Sequence, residues 1–153
     1  MLTEKDYCDY ETCVALKELG FMGQGRCYYD LDKEPNKLRH FGIQVLTTRS
    51  AKALNFVLAV HLYDAQTWLR EEKKICVEVD CCASGYVWEL CKAYQGTWFS
   101  GGTTIYTHYC EDNENNKLLN DCGKYNTYED ALSEGIKEAI EILKQDEYDT
   151  VGI

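Results

Sequence analysis

Between Thr127 and Lys144 the chain reads TYEDALSEGIKEAIEILK, with apolar residues at Tyr128, Ala131, Leu132, Ile136, Ala139, Ile140 and Leu143. Intervals of three and four line one face of an α-helix, and no other segment constrains the fold as strongly. Thr127 stands where an N-cap belongs, and Asp130, three residues on, can complete a capping box. A helix with one apolar face needs a sheet or another helix to cover, so the rest of the chain has to supply it. Gly135 lies beside this stripe, between Leu132 and Ile136. A glycine inside a helix costs roughly 1 kcal/mol relative to alanine, so its use here predicts a close approach of the helix backbone to that sheet.

The sheet is legible upstream. ICVEVD alternates Ile75, Val77 and Val79 with Cys76, Glu78 and Asp80, the period of a strand with one buried face. Tyr86 to Ala93 and Thr103 to Cys110 follow as strands, joined by the aromatic, glycine-flanked connection YQGTWFSGG. Before them, Leu62 to Lys73 reads as a helix turning Leu62, Ala65, Trp68 and Leu69 inward. The first part of the chain is less regular. A short helix is predicted from Tyr10 to Leu19, with Cys13, Leu16 and Leu19 on one face and Gly20 as its left-handed stop. The three glycines of GFMGQG follow that helix and precede a strand, the reverse of a dinucleotide-binding loop, and read as a turn. Strands are predicted over Arg26 to Leu31 and His40 to Thr47, with a hairpin loop at Pro35 and Asn36 between them. SAKALNFVLAV, residues 50–60, fits either a buried helix or a loop feeding a short strand.

These elements specify one α+β domain, an antiparallel sheet with helices packed on one face. Residues 62–144 form its helix-strand-strand-strand-helix core, residues 1–61 are the less regular part, and residues 145–153 are an acidic tail. A double-stranded-RNA-binding domain shares the order of that core but grips phosphates with lysines at the start of its last helix. Here those positions hold Glu129 and Asp130.

The net charge of −10 is concentrated in the second half: residues 1–75 carry 11 acidic and 11 basic side chains, residues 76–153 carry 15 and 5. Phosphate binding needs a basic face that displaces counterions, so no nucleic-acid partner is expected. The longest apolar run, Ala53 to Leu62, is interrupted by Asn55 and too short to span a bilayer, and the N-terminus has no apolar signal segment. No membrane partner is expected. The nine cysteines are odd in number, scattered and free of any C-x-x-C, which points to free thiols in a reducing cytoplasm, with no metal and no cofactor.

LYDAQTWLREEKKICVEV and YNTYEDALSEGIKEAIEIL resemble a group of small uncharacterised proteins of Bacteroidales bacteria and their phages or mobile elements. In that group a W-L-R-E helix precedes a strand and a T-Y-E-E-A-type helix closes the chain. The resemblance spans Leu62 to Val79 and Tyr125 to Leu143. It implies a mobile-element origin, where small acidic proteins often bind host components, and no activity.

Three functional readings follow. The first is a non-catalytic protein-interaction module whose acidic half meets a host protein, with Glu134, Glu138 and Glu141 on the outer side of the last helix and Trp98 and Phe99 as aromatic anchors. The second is a small-ligand binder using an aromatic sheet face formed by Tyr86, Trp88, Trp98 and Tyr106. The third is a thiol enzyme, in which His108 pairs with Cys91 or Cys76 of a neighbouring strand. The sequence does not fix the oligomeric state.

Overall fold

The structure, a computed structural model, describes residues 2–82, 85–92, 103–107 and 125–151. The fold is α+β, with every strand pairing among the described residues antiparallel. The chain divides into two compact units, Met1–Ala65 and Gln66–Ile153.

The first unit begins with a 3-10 turn, Glu4–Asp6, followed by α1, Tyr10–Glu18. Asp9 caps α1, its carboxylate accepting the Thr12 N–H at 2.9 Å. The far end closes as the glycine requires: Gly20 has φ +100°, Gly20 N–H donates to Lys17 O, and Phe21 N–H donates to Leu16 O. Thr12, Cys13, Ala15 and Leu16 are buried, whereas Leu19 is only half-buried.

Four short strands come next: β1 (Gln24–Gly25), β2 (Cys27–Asp30), β3 (Arg39–His40) and β4 (Leu46–Thr47). The stretch from His40 to Thr47 is therefore not the single strand its composition predicts. Gly42, at φ +68°, breaks it, so β3 pairs with β2 while β4 crosses to β1. Residues 50–60 hold the end of a short, largely exposed helix and then a short strand, so the buried helix that their periodicity left open is not formed. Helix α2 (Thr48–Ala53) is capped reciprocally by Thr47 and Ser50; Asn55 then turns the chain at φ +60° into β5, Phe56–Leu58. β2 is the centre of the sheet β3-β2-β5, with Tyr28 opposite Leu58 and Tyr29 opposite Val57. On one side of it Tyr28 stacks on Phe56, ring centroids 4.1 Å apart, with Phe41 edge-on to both.

Helix α3, Leu62–Lys73, buries Leu62, Ala65 and Leu69. Trp68 stays half-buried beneath the ammonium of Lys73, 5.3 Å from its ring centroid. In the second unit the sheet runs β6-β7-β8 in sequence order, with β6 at Ile75–Cys82, β7 at Gly85–Lys92 and β8 at Thr103–Thr107. The register sets Val77 opposite Leu90 and Val79 opposite Trp88. Helix α4, Tyr128–Val151, packs on β6 and β7, burying Ala131, Leu132, Ile136, Ala139 and Ile140. Its cap is Thr127, whose Oγ1 accepts the Asp130 N–H at 3.1 Å. The acidic tail is a correction: α4 continues through residues 145–151, because QDEYDTV contains no proline or glycine to stop it.

Candidate functional site

Trp98, Phe99 and His108, with the loop that holds the two aromatics, lie outside the described residues. Tyr106 is on β8 opposite Leu90. Trp88 is not a binding-face residue. It is 2 % exposed, beneath α4, and its indole N–H donates to the Tyr125 hydroxyl at 3.3 Å. The alternation of β7 puts Trp88 on the side that the last helix covers, so an accessible aromatic face cannot include it. Tyr86 is half-buried on the same side, edge-on to Tyr128 with centroids 6.2 Å apart. On α4, Glu138 and Glu141 are exposed, and Glu134 is half-buried. Lysines on the helix offset part of this charge, with Lys137 Nζ 3.2 Å from Glu134 and Lys144 Nζ 3.5 Å from Glu141.

A better-formed site lies in the first unit, at the N-terminal end of α1. A cleft of about 360 Å³ is lined by Glu4, Tyr7, Asp9, Tyr10, Glu11, Tyr29 and Asn36. Its backbone is clamped at Cys8, which is 1 % exposed: the Cys8 N–H donates to Val60 O at 2.8 Å, and Cys8 O accepts the Tyr29 hydroxyl at 2.7 Å. With Cys8 fixed inward, its neighbours Tyr7 and Asp9 are presented outward. Tyr10 meets Tyr29 edge-on at 5.9 Å, and Tyr7 meets His61 edge-on at 5.5 Å, so each lining ring is held by another aromatic.

The electrostatics of the cleft suit a cation. Glu4, Asp9 and Glu11 are exposed carboxylates at its wall. Two of the tyrosines are held neutral: burial, then a hydrogen bond with Cys27, pushes Tyr7 up to about 12, and burial pushes Tyr29 up too. Neutral phenol rings offer a negative π-face, and carboxylates beside them add charge attraction. The sequence signal was the stretch EKDYCDYE, residues 4–11, whose tyrosines and acids alternate; composition alone does not say that they surround one cleft.

Behind Tyr7, Cys27 Sγ lies 3.5 Å from the phenol oxygen and 3.3 Å from His40 Nδ1. A thiol beside an imidazole is the pairing of a thiol nucleophile, supplied here by directly opposed residues of β2 and β3. Cys27 is 2 % exposed, however, and neither member lines the cleft. Among the described residues no group of three or more His, Cys, Asp or Glu is placed to hold a metal ion, and no helix is long and apolar enough to cross a membrane.

The chain matches no protein-family model, no curated protein and no solved structure.

Proposed function

We propose that the protein is a non-catalytic binding module that receives a basic side chain, lysine or arginine, of a partner protein in the cleft of Tyr7, Tyr10 and Tyr29. The observation that carries this reading is the convergence of three phenol rings and three carboxylates on one 360 Å³ cleft. Magnitudes favour a macromolecular partner over a free amine. An exposed cation–π contact contributes about 0.5–1 kcal/mol and an exposed ion pair about 0–1, whereas millimolar binding already requires about 4 kcal/mol. The side chain orients the partner, and further contacts have to hold it. The resemblance to mobile-element proteins fits a host protein in that role. A cytoplasmic location belongs to the same reading, supported by six free cysteines among the described residues.

Titration calorimetry with an oligolysine peptide, and with oligoglutamate of equal length as control, tests the proposal. Oligolysine binds, more weakly as salt rises, and Asp9→Asn with Glu11→Gln or Tyr10→Ala reduces its affinity severalfold, while Glu138→Gln on α4 leaves it unchanged. If Glu138→Gln with Glu141→Gln abolishes binding and the cleft variants do not, the last helix is the binding surface and the cleft reading fails.

A further inference from the structure

We propose that Cys76 and Cys91 form a peroxide-oxidised dithiol that closes to a disulfide across β6 and β7. The register sets the two residues directly opposite each other in the antiparallel ladder. Val77, the neighbour of Cys76, faces α4 at Gly135. Alternation therefore puts Cys76 and Cys91 together on the other side of the sheet. Opposed residues of such a ladder have Cα atoms about 4.5–5.5 Å apart, inside the range of about 4.4–6.8 Å that a disulfide spans.

Among the cysteines whose side chains the structure describes, accessibility selects this pair. Cys8, Cys13 and Cys27 are buried, whereas Cys76 and Cys91 are half-buried and both free. Cys81 is exposed, but the ladder sets it opposite Tyr86, which offers no second sulfur. Cys91 also has a proton acceptor in place: its thiol donates to Glu89 Oε1 at 3.6 Å. Within this proposal Cys76 is the thiol oxidised first, and Cys91, with the Glu89 carboxylate to take its proton, is the thiol that resolves it.

The Cys76 thiolate attacks one oxygen of hydrogen peroxide, the O–O bond breaks, and the hydroxide released takes a proton to become water, leaving Cys76 as a sulfenic acid. Cys91 sulfur then attacks the Cys76 sulfur. The S–O bond breaks, and the proton of Cys91, passed through the Glu89 carboxylate, leaves with the hydroxyl as a second water. The two thiols lose two electrons and peroxide gains them. The bond ties β6 to β7 at the end of the ladder remote from the Cys82–Gly85 pair, and a thiol reductant reopens it.

Peptide mapping of the reduced full-length chain after stoichiometric hydrogen peroxide tests this without any variant. The expected product has lost two hydrogens in mass, yields a cross-linked peptide joining Cys76 to Cys91, and reverts with dithiothreitol. In Cys91→Ser, Cys76 stops as a sulfenic acid captured by dimedone; in Cys76→Ser, oxidation at Cys91 slows at least tenfold. A cross-link joining any other pair, or sulfinic acid at Cys76 of the unaltered chain without the cross-link, overturns the proposal. So does a Cys76 that peroxide leaves reduced.

Discussion

A Cβ atom added at Gly135 would stand 2.7 Å from Val77 Cγ1 and 3.1 Å from Trp88 Cβ. The close approach of α4 to the sheet is thus specific: the helix backbone rests directly on one β-branched and one aromatic side chain. Neither yields cheaply, since valine is stiff at χ1 and the Trp88 Cβ moves only with its backbone.

Gly135→Ala is accordingly destabilising despite the better helix propensity of alanine, by about 1 kcal/mol net, and Gly135→Leu by about 3 kcal/mol or more. Urea unfolding monitored by circular dichroism measures both. Val77→Ala in the Gly135→Ala background should recover part of the loss, a negative coupling that a double-mutant cycle reads directly. A stabilising alanine at 135 would mean that the glycine contacts nothing and that α4 is rotated on the sheet.

The second unit was legible because its signals are local and periodic. The limits of α3, the alternation of Ile75 to Asp80 and the buried stripe of α4 each follow from side chains that repeat with the element. The first unit was not. Its strands are two to four residues long, below the length at which alternation can be counted, and their pairing depends on Gly42 and Asn55 adopting positive φ. The cleft escaped for the same reason. Tyr29 reaches it from β2, some twenty residues beyond Tyr7 and Tyr10, by a long-range hydrogen bond to Cys8 O that no spacing encodes. Trp88 misled in the opposite sense, since an aromatic on a strand reads alike whether a helix or a ligand covers it.

Lys74 ends α3 at φ +59°, a left-handed position held by a residue with a Cβ. Its ammonium donates to Glu71 O at 2.7 Å, an exposed contact of small net value. Lys74→Gly should therefore stabilise the chain by about 0.5–1 kcal/mol, a rise of a few degrees in Tm. A lower Tm would show that the contact with Glu71 outweighs the backbone strain.

Asp9 has two separable jobs, capping α1 and charging the cleft wall. Asparagine keeps an oxygen for the Thr12 N–H and loses the charge, whereas alanine loses both. Asp9→Asn should leave the urea midpoint almost unchanged, while Asp9→Ala costs about 1 kcal/mol. Equal losses in the two variants would assign the stabilisation to charge rather than to the cap.

Tyr7 makes the fold sensitive to alkali. Its folded-state pKa, pushed up to about 12 from an ordinary 10.0 by burial and then by the hydrogen bond with Cys27, means that the folded chain favours the neutral phenol. The stabilising contribution is complete below pH 10 and disappears as pH rises from about 10 to about 12, where the unfolded chain has released a proton that the folded chain still holds. Burial moves Tyr29 in the same direction, and Cys8, with an ordinary value of 9.0, is raised by its hydrogen bond with Cys13 and by burial, so stability should fall steadily above about pH 9. Urea midpoints between pH 8 and pH 11 record that slope. Tyr7→Phe removes one titrating group, so it should start slightly less stable at pH 8, having lost the contact with Cys27, and then fall less steeply than the unaltered chain. Parallel slopes would show that Tyr7 ionises as readily in the folded chain as in the unfolded one.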